Sequence, residues 1–500
     1  MPARKNHAPN SNTPLFIVNS SAKIDPASRK QIRSHVMQGK NRKRASQKDK
    51  PLIRSWINDC QVADYSPNSI SIPPRVGNDL SHVVFITPLA PYMQELMFQF
   101  FTVIKQSAYP VETCVQPDGR QWVEYLTYDE AYLHSALFST NAFFDWRRSA
   151  KFGNVTLQHL TTCISRLRQN LLDACLATSD STITTVNTLA MMADLFGDYD
   201  NARKHLQGLS KIVEVRGGIK ALQYNPQLQS KILRADLGLA LSTGVKPLFF
   251  SEGFSWEPYL SSQPQSTSSK PTGAPAWDMS LVTDPRLLNV YLDLREFSRA
   301  ANLAKQIGSK IGAAEYLETL ISVQYRLLAL RHEDGLSMTA EERLLSVGML
   351  AFTTTTFLHV KGLPFKFPHL QEQARECLQN LDTKKQSGNL RLWFLFVAYI
   401  SALGSHGTAE NGGLLLEKGR EIVEVMKGEK SELGWTDVRD ILMEVVWIDW
   451  VHSEDGKEFL DKIATTIQVL WLSNHSSIFS WLSNSSKNII RTSPRQPAHE

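Results

Sequence analysis

The chain of 500 residues carries 54 Lys+Arg against 49 Asp+Glu, a formal net charge of +5, with 42% hydrophobic residues. That balance excludes a wholly disordered, a collagen-like or a disulfide-stapled chain and leaves ample apolar content for a large core. The small net charge hides a split: twelve basic and two acidic residues fall within residues 1–50, which carry +10 and leave −5 on the other 450.

Residues 1–50 read as a basic, largely disordered arm. Asp25-Pro26 has the form of an N-cap followed by proline at the first helical position, so a helix is expected over 26–45. Its few apolar residues, Ile32, Val36 and Met37, cannot bury it without a partner. Residues 51–87 read as a linker, with Pro67, Pro73, Pro74 and Gly77 as punctuation. From 88 to 483 the chain reads as helix after helix. Apolar spacing places helices over 91–106, 157–174, 182–196, 286–305, 314–330, 436–450 and 458–472. In 157–174 the seam is Leu157, Leu160, Ile164, Leu167, Leu171 and Ala174, a heptad pattern short of three heptads, which suits a helix packed in a bundle. In 286–305 the stripe is Val290, Leu294, Phe297, Ala301 and Ala304; in 314–330 it is Tyr316, Leu320, Val323 and Leu327. The Ser/Pro-rich stretch 261–280 is expected to be a mobile loop, and 484–500 a disordered tail. Period-two alternation is scarce, so the fold class is all-α, a multi-helix, helix-pair body.

The apolar runs from Leu392 to Leu403 and from Leu344 to Val360 fall short of a bilayer span, which needs about 20 strongly apolar residues. Both are expected to be buried core helices, and no membrane association is expected. Cys60, Cys114, Cys163, Cys175 and Cys377 are scattered and form no C-x-x-C pair, which fits free thiols in a reducing compartment. No apolar segment of the signal-peptide type opens the chain.

The best local signal is residues 197–219, GDYDNARKHLQGLSKIVEVRGGI. Asp198 is a helix cap and Asp200 adds negative charge to the first turn. Ala202, Leu206, Leu209 and Val213 form a stripe at i, i+4, i+7 and i+11, and Gly217-Gly218 ends the helix. An ordinary well-capped helix accounts for every residue. The same string resembles the regulatory domain of fungal-specific transcription factors, through Gly197, Asp198, Ala202, Arg203, His205, Leu206, Gly208, Leu209, Ile212, Val213, Arg216, Gly217 and Gly218. Phe16 onward, with residues 29–37 (RKQIRSHVM) and 41–44 (NRKR), looks like the N-terminal signature of a subset of that family. The resemblance implies an all-α regulatory body spanning roughly residues 15–480 behind a basic N-terminus. The binuclear zinc cluster usual in the family needs several cysteine thiolates. Here Cys60 is the only Cys in the first 100 residues, so the resemblance implies the subset that lacks the cluster, and no metal ligand is carried over. Gly197 to Ala202 also resembles the start of a second helix-pair unit in tetratricopeptide repeats. Self-similarity at about 34 residues does not recur, so what carries over is the idea of stacked helix pairs.

In the arm, Arg29, Lys30, Arg33, Lys40, Arg42, Lys43, Arg44 and Lys48 form the basic cluster. Nuclear import ranks first, favoured by the tight 40–44 run. Phosphate-backbone contact, weak and independent of sequence at roughly 10⁻⁴–10⁻⁶ M, ranks second, and a merely solvated tail third. Phe16 is the arm's one aromatic residue, so base stacking is not expected. Lys43-Arg44-Ala45-Ser46 has the shape of a basophilic kinase site, which makes Ser46 a candidate phosphosite.

No phosphate-binding loop, dinucleotide fingerprint, H-E-x-x-H, G-x-S-x-G or EF-hand loop occurs. His332-Glu333-Asp334 is expected at a solvated helix end, Glu341-Glu342 at an exposed helix start, and His205 as a half-buried structural histidine. Trp435, Trp447, Trp450, Trp471 and Trp481 are expected to be core. No catalytic residue, metal ligand or cofactor is assigned, and an enzyme is not expected. The expectation is a nuclear transcriptional regulator whose helical body binds a protein partner or a small effector. The alternative is an α-helical interaction scaffold with no direct role at DNA.

Overall fold

The computed structural model describes residues 83–104, 120–149, 151–249, 255–260, 277–333, 335, 337–358, 367–382, 388–404, 409–427 and 433–467. The chain divides into Met1–Pro74 and Arg75–Glu500, and every described residue belongs to the second unit. The arm, its helix over 26–45 and the 484–500 tail lie outside the described residues.

Among the described residues the body is all-α with no β-strand. In chain order the helices are α1 Pro91–Gln99, α2 Arg120–Tyr128, α3 Glu130–Ser149, α4 Asn154–Asn170, α5 Asp180–Leu195, α6 Tyr199–Val215 and α7 Pro226–Thr243. They continue as α8 Pro285–Gln306, α9 Ala313–Arg331, α10 Ala340–Thr356, α11 Pro368–Gln379, α12 Gly388–Ala398, α13 Ala409–Lys427, α14 Trp435–Val445 and α15 over 449–467. Chain neighbours pair: α3 packs on α4, α5 on α6, and α8 on α9. No described helix is long and apolar enough to cross a membrane.

Helix α7 joins two cores. Leu228, Ile232, Ala235 and Leu239 belong to a cluster with α3 to α6, while Leu237, Ala240 and Leu241 belong to the larger cluster built by α8 to α15. Its boundaries are local. Asn225 accepts from the Leu228 N–H ahead of Pro226, and Gly244 closes the helix at φ +75°, donating to the Ala240 carbonyl. Helix α12 is buried on every side from Leu390 to Ala398, as its apolar run foretells. Each such leucine or phenylalanine contributes about 1.5–3 kcal/mol of burial. Helix α10 is buried in spite of its threonine run, because Thr353, Thr354 and Thr355 each donate back to the carbonyl three residues earlier, at 2.7–2.8 Å. Trp447 is fully buried, and Trp435 and Trp450 pack against the same core. Trp471 and Trp481 lie outside the described residues.

Four expectations need correction. The 157–174 helix runs from Asn154 to Asn170 and buries only part of the heptad seam, Leu167 fully and Leu160 and Ile164 in part. Its buried face is Thr156, His159, Cys163 and Leu167, while Leu157 and Leu171 are exposed. The reason is a polar layer between α3 and α4. Thr156 Oγ1 accepts from Asn141 (2.7 Å) and donates to Asp145 (2.5 Å), and His159 meets His134. Hydropathy periodicity therefore picks a stripe that only partly coincides with the buried face. Leu171 caps the helix, and Asp173 opens a separate single turn at Ala174–Ala177.

The 436–450 helix stops at Val445, and α15 starts at 449 rather than 458. The break at 446–448 is held from elsewhere. Trp393 Nε1 donates to the Val446 carbonyl (2.6 Å), Asn302 Nδ2 donates to the Trp447 carbonyl (2.7 Å), and Asn302 Oδ1 accepts from Asp449 N–H (2.9 Å). These bonds satisfy backbone groups that the interruption frees.

Glu342 is buried rather than exposed. With Thr339 it forms a capping box, and it also accepts from the Thr283 N–H and hydroxyl and the Asp284 N–H. Burial opposes ionisation, but these hydrogen bonds outweigh it and hold the carboxyl down at about 2.

In the Ser/Pro-rich stretch, residues 261–276 lie outside the described residues. The end of that stretch is anchored: Trp277 is buried and its Nε1 donates to the Tyr291 hydroxyl at 3.1 Å.

Candidate functional site

The basic-cluster residues Arg29, Lys30, Arg33, Lys40, Arg42, Lys43, Arg44 and Lys48, and Ser46, lie outside the described residues. The residues of the 197–219 segment are all described, and they form a helix and its fastenings. Gly197 turns the chain between α5 and α6 at φ +80°, and the Asp198 carboxylate accepts from the Asn201 N–H. Ala202, Leu206, Leu209 and Val213 are buried, Arg203 is exposed, and His205, Gly208 and Ile212 are half-buried. Burial lowers the His205 imidazole below its ordinary pKa. Gly217 and Gly218, at φ +104° and +86°, let the Gly218 N–H reach the Val213 carbonyl at 2.8 Å.

Arg216 does more than suit the helix dipole. Its Nη1 lies 2.6 Å from Asp180 Oδ1 and 2.6 Å from the Thr178 carbonyl, and the guanidinium also donates to the Tyr224 hydroxyl. Asp180 in turn accepts from Tyr224 and from Asn225 (2.9 Å). The arginine thus clasps the end of α6 to the start of α5 and to the entry of α7. The cluster joins three helices.

The site that sequence reading missed lies where α8, α9 and residues 255–260 meet. Glu318, Thr319, Ser322 and Arg326 share one face of α9 at i, i+1, i+4 and i+8, opposite Asp293 of α8. With Glu257, Tyr259 and Leu260 they line an open cavity of about 340 Å³, within the usual range for small-molecule pockets of about 300–1,000 Å³. At its base Arg326 and Asp293 are 2% and 1% exposed and 2.7 Å apart. The second oxygen of Asp293 accepts from the Tyr259 and Leu260 N–H groups, both at 2.9 Å. Asn289 holds the Trp256 carbonyl at 3.0 Å, so α8 fixes this wall of the cavity through both residues. Asp293 is fully employed. Arg326 Nη1 and Thr319 Oγ1, both buried, have no hydrogen-bond partner. Glu257 and Glu318 stand exposed at the rim.

A sequence signal for this site existed. Asp293 lies between Leu292 and Leu294, and Arg326 between Tyr325 and Leu327, each a lone charge among apolar neighbours. A charge so flanked on a long core helix needs an opposite charge nearby.

Two other buried polar groups bear on stability. His134 and His159 meet Nδ1 to Nδ1 at 2.9 Å between α3 and α4, so one ring donates and the other accepts. His134 Nε2 lies 3.9 Å from Glu130, which pairs with Arg166 at 2.8 Å, while His159 Nε2 is buried without a partner. Burial first, and the neighbouring imidazole second, push His159 down to about 4. Asp236, buried beneath the Leu248 and Phe249 N–H groups and Tyr325, is pushed up to about 6 by burial, which outweighs those three hydrogen bonds. No group of three or more His, Cys, Asp or Glu among the described residues is placed to hold a metal ion.

Comparison with protein-family models, with curated proteins and with solved structures finds no match.

Proposed function

We propose that the protein is a nuclear regulator whose helical body receives a small polar effector in the cavity between α8 and α9, and whose basic arm directs it to the nucleus. The observation that carries the effector reading is the buried Arg326, held by Asp293 on two core helices, with a donor left unpartnered in a cavity wall. Burying such a donor costs about 1–3 kcal/mol when nothing accepts from it, and an effector that supplies an acceptor recovers that cost on binding. Helices position the charge, so the site is preorganised. The +10 arm, the 40–44 cluster and the resemblance of residues 197–218 support the regulatory and nuclear parts of the reading. The arm's contact with nucleic acid is weak and carries no sequence preference of its own, since it has no zinc ligands to build a base-reading module.

The test is thermal denaturation of the chain in the presence of millimolar amino acids, organic acids, sugars and nucleosides. A ligand that binds only the folded state stabilises it by RT ln(1 + [L]/Kd), about 2.7 kcal/mol at a hundredfold excess over Kd. At least one metabolite raises the melting temperature, and Thr319→Val reduces the rise. A panel in which nothing shifts the transition overturns the effector reading.

A second reading, an α-helical interaction scaffold with no role at DNA, is favoured by one observation. Leu172 is 89% exposed beside the exposed Leu171 and Leu176, at the turn between α4 and α5. A scaffold keeps its protein partners and gives no chromatin signal, whereas the regulator loses chromatin association when residues 29–48 are neutralised.

A further inference from the structure

The charge and hydrogen-bond demands of the cavity restrict what it can hold. Arg326 and Asp293 cancel each other at the base, so the charge left on the lining is −2, from Glu257 and Glu318 at the rim. A purely anionic ligand meets that rim first and is repelled. A purely cationic amine is drawn in and can donate to Thr319 Oγ1, yet it leaves Arg326 Nη1 unpartnered, since a protonated amine has no lone pair to offer. An apolar ligand leaves both ends unsatisfied and desolvates them further. A molecule with a carboxylate at one end and an ammonium a few bonds away meets both demands. Its carboxylate gains a charge-assisted hydrogen bond from a guanidinium that Asp293 already holds in place. The volume of about 340 Å³ suits one amino acid rather than a long peptide.

Resting on the effector reading above, we infer that the cavity binds an amino-acid-sized zwitterion, its carboxylate on Arg326 and Thr319 and its ammonium between Glu257 and Glu318. The effector of the regulator is then an amino acid or a close derivative that keeps both groups.

The test is calorimetric titration of the full chain with each of the twenty L-amino acids, with putrescine and succinate as ligands that carry only one kind of end. At least one amino acid binds, and binds more tightly than either control. Glu257→Gln combined with Glu318→Gln, two exposed positions, weakens that binding by roughly tenfold or more. Thr319→Val removes a hydroxyl that has no partner in the folded chain, so folding is retained and binding falls by roughly two- to tenfold. Arg326→Met strands the Asp293 carboxylate and risks unfolding, so the rim and Thr319 variants carry the decision. Putrescine binding as tightly as any amino acid overturns the zwitterion, as does amino-acid binding unchanged in the rim variant. If no amino acid binds while another metabolite stabilises the chain, the zwitterion falls and the effector reading stands. If nothing binds, both fall.

Discussion

Protonation of His159 has a cost that can be worked out from its surroundings. When His159 donates from Nδ1 to His134, its bare Nε2 is the only place for a second proton, and that atom is buried with no acceptor. The folded chain therefore holds the imidazole at about 4, against an ordinary 6.5. A histidine whose folded pKa is depressed stabilises the fold above the unfolded pKa and loses that contribution as pH falls, because the unfolded chain takes up the proton first. At pH 5 this proton uptake multiplies the unfolding equilibrium constant by about 30, a loss of about 2 kcal/mol of stability, and at pH 7 the loss is only about 0.2 kcal/mol. Asp194 and Asp236 act in the opposite sense. Burial pushes both up to about 6, so each stabilises the fold as pH drops from 6 toward 4. The wild-type profile alone therefore mixes opposing terms, and the difference between wild type and His159→Gln isolates the histidine. Urea unfolding followed by far-UV circular dichroism at pH 7 and pH 5 measures it. The wild type loses about 2 kcal/mol more than the variant over that interval. Equal pH dependence in the two proteins, within about 0.5 kcal/mol, would refute the claim that His159 is held neutral by burial.

Gly348→Ala would bring a Cβ within 2.5 Å of the Trp393 ring and 3.1 Å of Phe394. Overpacking should cost about 1–3 kcal/mol and outweigh the gain of about 1 kcal/mol in helix propensity, so a raised melting temperature would contradict the packing. Arg216→Met removes the clasp between α5 and α6 and leaves Asp180 short of its cation. The expected loss is about 1–3 kcal/mol in urea unfolding, and a neutral outcome would show the joint to be dispensable. Phosphate on Ser46 would place about −1.5 to −2 charge beside the 40–44 cluster. Nuclear accumulation should therefore be weaker for Ser46→Glu than for Ser46→Ala, and equal accumulation counts against a phosphate switch.

The parts of the fold legible in the sequence were those where one face is apolar and the ends are signalled. The α6 helix, with Asp198 at one end and Gly217-Gly218 at the other, and the α8 and α9 stripes are of this kind. What stayed hidden was set by partners distant in sequence. The stop after Val445 has no glycine or proline near it and depends on Trp393 and Asn302. The buried face of α4 is polar, so no hydropathy rule selects Thr156 and His159 over Leu157. Glu342 reads as a first-turn carboxylate on an exposed start, and only the approach of Thr283 and Asp284 buries it. The cavity is a further case. Asp293 and Arg326 are 33 residues apart, on separate helices, and neither lies in a motif. Their isolation among leucines was visible, but their pairing was not. The nuclear half of the account rests on residues 1–50, whose composition is legible and whose chemistry is charge alone.

The central claim, a nuclear regulator addressed by its basic arm, is tested most directly by deleting residues 1–50 from the full chain. The two readouts are the nuclear fraction and genome occupancy, with circular dichroism to establish that the helical body remains folded. The account predicts that the truncated protein leaves the nucleus and that its occupancy collapses while its helicity persists. A truncated protein that stays nuclear with unchanged occupancy contradicts it.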